Sequence, residues 1–424
     1  MYRKKLLILL LTLVLFMAPC LVFSNGQPDS KSPEKITLRV LAGQSTTDAG
    51  MEKLIDELCE QTYPNIKLEW DIVDWGKGFQ PKMQLYMATE LPDIMIGKAQ
   101  DVATWGSQNV LADLSGKSYL EYVLPEAVES GSYGGKVNGV VFNALYQGVY
   151  YNKDLFKKYN VKVPQTQNEL LAAVEIFKAN GIIPFETHFA DTWSIGNMTM
   201  QFAINDLFRD TPDWGDQFRA GKVNYVDSEK WKSIYQYNKL LFDNTWTDEA
   251  FSIQQNMADA RMVQGMAAMK VSGSWSIQNF LDVDPDFNFG VFPFPNQFGE
   301  AKLIYEPNIT FMVSGKTKYA EAVDQVLELI LSNKELALKI YDQTKTAPML
   351  AGITPTFTNP SQSDIDKYVA EGNIVDAGVG NNQLVWGGFQ DENALDIVEW
   401  LYDPNKSLSD ALTAADSRRE NSRP

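Results

Sequence analysis

The sequence predicts an α/β protein built as two lobes. Strand-like and helix-like periodicities alternate through its first hundred residues, the pattern of a parallel sheet covered by helices. About 400 residues follow an apolar leader, more than a single hydrophobic core ordinarily serves, so the chain is expected to divide. No window after that leader has the unbroken apolar length of a membrane-spanning helix.

Arg3, Lys4 and Lys5 precede an apolar run from Leu6 to Phe16, and a polar stretch begins at Ser24. The run is too short to span a bilayer, and its flanks are those of a secretory signal peptide, placed at residues 1–24. Two processing routes stay open. One is cleavage before Asn25, after the small residues Val22 and Ser24. The other is lipidation of Cys20, which stands where a lipoprotein signal puts its modified cysteine, although Pro19 precedes it. Residues 25–35 are polar and contain proline, and are expected to form a flexible tether.

Leu38 and Val40 mark a first strand that ends at Gly43. Met51, Leu54, Ile55, Leu58 and Cys59 fall at helical spacing until Tyr63-Pro64-Asn65 stops the helix. Ile66, Leu68, Trp70 and Ile72 alternate with polar residues, as in a half-buried strand. A second helix is expected over about 78–89, then a short buried strand from Asp93 to Ile96 and a polar loop. A second unit begins near Val140, with a strand at Val149–Tyr151. Thr166 and Glu169 form a capping box for a helix with Leu170, Leu171, Val174 and Phe177 on one face, closed by Gly181. Helices are predicted over about 196–208, 228–245 and 257–264, and strands at Ala267–Val271, Phe289–Phe292 and 309–313. Two further helices run from Ala320 to Ser332 and from Lys334 to Thr344.

The chain carries a net charge of −17, or −20 once residues 1–24, with three basic and no acidic side chains, are left out. Such a surface repels nucleic acid and anionic membranes. Solubility alone accounts for it, and it also suits a neutral or cationic ligand. Apart from Cys20 only Cys59 is present, so no internal disulfide framework forms, and Cys59 reads as a small buried hydrophobe on its helix stripe. His188 is the only histidine. Zinc sites built on His and Cys are excluded, and a Ser-His-Asp triad would have to use it. Neither a Gly-x-x-x-x-Gly-Lys-Ser/Thr loop nor a Gly-x-Gly-x-x-Gly turn after a strand occurs. Asp282-x-Asp284-x-Asp286-x-Asn288 begins like a calcium loop but has Phe287 for the turn glycine and Pro293 for the last glutamate, and reads as an acidic turn. No metal site and no cofactor are predicted.

Five segments carry a resemblance: Leu91-Pro92-Asp93-Ile94, Gly148-Val149-Tyr150-Tyr151-Asn152-Lys153-Asp154-Leu155-Phe156, Val163-Pro164-Gln165-Thr166-Gln167-Asn168-Glu169-Leu170, Gly265 through Gly273-Ser274-Trp275, and Phe289-Gly290-Val291-Phe292-Pro293-Phe294-Pro295. Their order and spacing over residues 37–345 resemble the extracytoplasmic sugar-binding proteins of ABC importers, the family that includes maltose- and oligosaccharide-binding proteins. The chain departs from the pattern at Gln167, where a tryptophan is usual, and at Gly97-Lys98, where an aromatic residue is common. The resemblance implies a two-lobed fold like that of periplasmic binding proteins, each lobe a mixed sheet flanked by helices, with a hinge that the chain crosses three times, expected near Asn143–Gly148, Ala301–Asn308 and Thr346–Gly352. Lobe one then comprises 36–145 with 307–348, lobe two 146–306 with 349–415, and 416–424 form a tail. It further implies an exported, non-enzymatic monomer, in the periplasm or attached to the outer face of the cytoplasmic membrane. That protein would capture a sugar or short oligosaccharide by hinge closure and deliver it to the importer's membrane subunits.

A sugar site stacks an aromatic ring on the C–H face and spreads hydrogen bonds around the hydroxyl edge, for which planar carboxylates and amides are suited. Trp275 follows a predicted strand, where the resemblance puts a stacking ring. Trp386 lies beside Gly387 and Gly388. Trp193 shares a polar loop with Glu186, His188 and Asp191. Gln44 and Ser45 follow the first strand; Lys98, Gln100 and Asp101 follow the Ile94–Ile96 strand. Asn143 and Tyr146 stand near the first crossing, Glu306 and Asn308 near the second. Trp105 could supply a ring in the first lobe, and Trp75, in the exposed loop Asp74-Trp75-Gly76, is a lesser candidate; core packing is the competing reading for Trp275, Trp386 and above all Trp105, a surface position for His188, and hinge structure for Asn143, Tyr146, Glu306 and Asn308. Three rival functions also stay open: an exported glycoside hydrolase, for which 54 acidic residues would permit a carboxylate pair, a solute-binding protein for a non-sugar ligand such as a polyamine, and a sensor of the same fold.

Overall fold

The computed structural model describes residues 34–44, 50–73, 78–246, 249–379 and 389–422. In chain order its strands are β1 (Ile36–Gly43), β2 (Ile66–Val73), β3 (Ile94–Gly97), β4 (Ser132–Tyr133), β5 (Lys136–Val137), β6 (Gly139–Val141), β7 (Asn143–Asn152), β8 (Ile183–Phe185), β9 (Ala267–Gly273), β10 (Phe289–Phe292), β11 (Leu303–Pro307), β12 (Thr310–Val313), β13 (Ala347–Pro348) and β14 (Ile374–Asp376). The described residues from Ile36 onward form one compact unit, which holds two mixed sheets with separate cores.

The first sheet has the order β2-β1-β3-β12-β6. Its first three strands are parallel and joined by helices, as the alternation of periods requires. The helix Met51–Thr62 buries Met51, Ile55 and Cys59, each four residues from the next, so one face turns to the sheet. β12 enters antiparallel between β3 and β6, and the helices Ala320–Ser332 and Lys334–Thr344 that follow pack into the same core. Cys59 is buried there, and burial pushes its thiol up to about 11, which keeps it unreactive.

The second sheet has the order β14-β11-β7-β9-β8, with β10 and β13 also paired to β7. The helix Gln167–Ala179 starts on its capping box, with the Glu169 N–H donating to Thr166 Oγ1 at 3.3 Å and the Thr166 N–H to Glu169 Oε2 at 3.2 Å. Aromatic rings fill much of the core; Tyr225 and Trp231, for example, lie 4.4 Å apart.

The chain passes between sheets at Phe142, at Asn308–Ile309, and again after the helix Lys334–Thr344. One side chain ties all three passages. The Asn143 Nδ2 donates to Thr346 Oγ1 at 3.0 Å, its Oδ1 accepts the Ile309 N–H at 2.8 Å, and its carbonyl accepts the Asn308 N–H at 2.8 Å.

Three segments differ from expectation. Residues 301–308, read as a crossing, contain β11, which pairs with β7 on one side and β14 on the other. Leu303, Ile304, Glu306 and Pro307 are buried on both faces, so no alternation marks the strand. The expected loop after β3 is the helix Ala99–Gly106, started by Asp101, whose carboxylate accepts the Lys98 N–H at 2.8 Å. The residues read as a tail are docked on the second lobe. Asp416 accepts the N–H groups of Tyr225 and Val226 at 2.7 and 3.1 Å, Arg418 reaches Asp396 at 2.6 Å, and Arg419 lies over the Phe218 ring. Sequence does not reveal this docking, because each partner is remote along the chain.

Candidate functional site

Parallel strands present their C-terminal ends on one side of a sheet, and open α/β sheets use that side for ligands. Here β1 and β3 end together at Gly43 and Gly97, placing Gln44 and Lys98 side by side in order. In the second sheet β8 ends at Phe185, opposite Met269, and leads to Glu186; its parallel neighbour β9 runs on to Gly273 and leads to Ser274 and Trp275, while β11 and β14 end before Asn308 and Ala377. β7 runs antiparallel to β9 and β11, so its first residues lie among those ends, Gln147 opposite Gly273 and Ala144 opposite Pro307.

A polar chain runs across this junction. Lys98, from the first sheet, donates to Glu306 Oε1 on β11 at 2.8 Å. Glu306 is 2 % exposed, and its Oε2 accepts from Gln147 Nε2 on β7. Asn197, on the helix Thr192–Ala203, donates to Gln147 Oε1 at 3.1 Å, and Gln201 Nε2 donates to Asn197 Oδ1 at 2.8 Å and to the Ser272 carbonyl at 3.3 Å. Asn308 is half-buried and donates to Glu306 Oε1 at 3.4 Å. Both Asp101 oxygens are engaged, by the Lys98 N–H and by Gln80 Nε2 at 2.7 Å, so this carboxylate holds the helix that carries Lys98's neighbours. Asn143 is likewise taken up by the crossings described above.

Beside this chain stand three rings. His188 and Trp193 have centroids 5.1 Å apart, and Trp193 meets Trp275 edge to face at 6.1 Å. Trp193 and Trp275 are half-buried. A Cβ on Gly273 would come within 2.1 Å of the Trp275 ring, so only glycine lets that ring lie down on the strand end. The Trp275 Nε1–H has no hydrogen-bond partner among the described residues. Tyr146 supports the turn, its N–H donating to Ser274 Oγ at 2.9 Å and its ring lying 5.8 Å from that of Tyr305.

Under the rings lies a buried charged nest. Lys270 on β9 and Asp259 are both fully buried and paired, and Asn279 Nδ2 donates to the second Asp259 oxygen at 2.7 Å. Glu186 accepts from Trp246 Nε1 at 3.0 Å, while its Oε1 has no partner among the described residues. Burial raises its carboxyl to about 7 against the pull of Trp246, Arg261 and Lys270. Burial first, and the Lys270 charge second, lower the His188 imidazole to about 4, although Asp191 lies 3.3 Å from its Nδ1. The ring is therefore neutral near pH 7.

Of the residues singled out in sequence, Lys98, Glu306 and Asn308 meet at the junction, and Glu186, His188, Trp193 and Trp275 form the aromatic side with its support. Gln44 is exposed directly after β1. Trp105 is a core residue stacked on Phe79. Ser45, Trp75, Trp386 and Cys20 lie outside the described residues. Sequence reasoning missed Gln147, Asn197 and Gln201. Their one signal was a lone amide in an otherwise apolar stretch, as in Leu145-Tyr146-Gln147-Gly148-Val149.

Comparison with known proteins agrees with this architecture. The multiple sugar-binding protein of Streptococcus mutans is 23 % identical over 361 residues, covering 83 % of this chain and 84 % of its own. The structure of the binding protein RafE in complex with raffinose superposes with a TM-score of 0.74 at 19 % identity, over 92 % of this chain and all of that one. A sugar transporter protein of Bacillus licheniformis in complex with stachyose gives 0.75 at 18 %, over 91 % of this chain and all of that one. Both share the two-lobed fold. The profile of the bacterial extracellular solute-binding proteins matches residues 42–337, and the chain belongs to that family.

Proposed function

We propose that this protein captures a sugar or short oligosaccharide outside the cytoplasm and hands it, chemically unaltered, to the membrane subunits of an ABC importer. One observation carries the reading: half-buried indoles and an ordered row of amide, carboxylate and ammonium groups converge where the strand ends of both sheets meet. Rings suit the C–H faces of a pyranose, and the row suits its hydroxyls. Family membership and the sugars held by the similar structures support it. A ligand touching both lobes binds their closed arrangement better than the open one, and that difference drives closure. Residues 1–24 serve export, and Cys20 supplies a lipid anchor if it is modified. The protein acts as a monomer without metal or cofactor.

The test is a thermal-shift panel of raffinose, stachyose, maltotriose and xylotriose, with product analysis of the same mixtures. A ligand present at about 100 times its Kd stabilises the fold by about 2.7 kcal/mol. Stabilisation without new products supports the reading. Release of smaller sugars would favour the glycoside hydrolase instead, and no shift with any carbohydrate would remove sugar as the ligand.

A further inference from the structure

We infer that the Lys98–Glu306 ion pair is a charge filter that restricts the site to uncharged sugars, with Glu306 as the positioning residue that both neutralises Lys98 and aligns Gln147. The inference rests on the sugar-binding reading and specifies its ligand. Lys98 stands at the C-terminal end of β3 in one sheet, Glu306 near the end of β11 in the other, and the pair spans them at 2.8 Å. The exposures differ sharply: the Lys98 side chain is 25 % exposed and that of Glu306 only 2 %. The ammonium thus faces the junction while the carboxylate sits behind it, its two oxygens occupied by Lys98, Asn308 and Gln147. A group so enclosed completes the row chiefly by setting Lys98 and Gln147 for the ligand.

Its charge is also felt on both sides. Desolvation, with the Glu306 charge behind it, raises the carboxyls of Asp101 and Asp376. Glu306 thus offsets the Lys98 charge, and a carboxylate-bearing sugar finds there no unpaired ammonium to compensate its own desolvation. Through Gln147, Glu306 also fixes Asn197, a half-buried amide further along the row. The usual aromatic residue after β3 would stack on a sugar face. A neutralised lysine instead donates to hydroxyls without attracting acids.

The experiment uses calorimetric titration of the full protein with raffinose, maltotriose, cellotriose and xylotriose, and with a carboxylate-bearing partner of each: C6-oxidised forms of the first three and glucuronosyl-xylotriose. The native protein is expected to bind a neutral member at least about tenfold tighter than its acidic partner, the scale set by one nearby charge. Glu306→Gln should lower neutral-sugar affinity and shift the neutral-to-acidic ratio about tenfold toward the acid. Glu306→Asp should largely keep the native ratio, and the exchange Lys98→Glu with Glu306→Lys should restore exclusion of acids relative to Glu306→Gln. A loss of fold would weaken both ligands together and leave the ratio alone, so the ratio reads charge and not stability. An unchanged ratio in a folded Glu306→Gln protein, or equal native binding of acid and neutral forms, overturns the filter while leaving sugar capture intact. Binding of no member of either set overturns both.

Discussion

Glu186 and His188, two residues apart at the end of β8, should give the protein opposing pH dependences that mask each other. Glu186 titrates at about 7 in the fold against an ordinary 4.5, so the folded state holds its proton more tightly. Its contribution is fully present below pH 4.5 and is lost as the pH rises through about 7. His188 titrates at about 4 against an ordinary 6.5, so the fold favours its neutral form. That contribution is fully present above pH 6.5 and is lost as the pH falls through about 4. Each interval corresponds to about 3 kcal/mol at about 1.4 kcal/mol per pH unit. Between about pH 4.5 and 6.5 the two slopes have opposite sign and nearly cancel. Glu186→Gln keeps an acceptor for Trp246 Nε1 and removes one slope, so stability should rise by about 3 kcal/mol across that window. His188→Gln should instead fall by a similar amount. Urea denaturation at half-unit steps from pH 4.5 to 7.5, fitted with a common m-value, reads these differences. If both variants reproduce the native curve with a constant offset, neither group titrates where its burial says, and the reasoning is wrong.

Further outcomes are expected elsewhere. Trp275→Ala should weaken binding of whichever sugar the panel identifies by about tenfold or more with little change in melting temperature, measured by titration and thermal shift. Lys270→Met strands the fully buried Asp259 carboxylate and should cost about 3–5 kcal/mol in urea denaturation; adding Asp259→Leu should recover most of it. Asn143→Ala removes one acceptor and one donor at the crossings and should cost about 1–3 kcal/mol, and it should also change the ligand-induced reduction in radius measured by solution scattering.

How much of this was legible depends on the range of each signal. Helices with their own apolar stripe or cap were readable: Ala320–Ser332 and Lys334–Thr344 lie where periodicity put them, and Thr166 and Glu169 announced Gln167–Ala179. β11 was not, because a five-residue strand buried on both faces has no alternation to read. Individual candidate residues such as Lys98 and Trp275 could be named from the strand they follow. The row that links them could not, because Gln147 meets Asn197 at a separation of 50 positions and Glu306 at 159. Such partners are chosen by the fold, and a solitary glutamine in an apolar strand says only that some partner exists.

The late arrival of β12 has a consequence for biogenesis. β3 borders it, and Thr317 Oγ1 just beyond it donates to Asp93 at 2.6 Å across 224 positions. The first lobe thus stays a half-finished sheet until the ribosome has made most of the second, and contacts of such long range form slowly. For a chain that leaves the cytoplasm as proposed, that delay is useful: translocation machinery threads an uncommitted polymer more easily than a closed lobe. The topology that joins the two lobes thereby leaves the first of them open until late in synthesis.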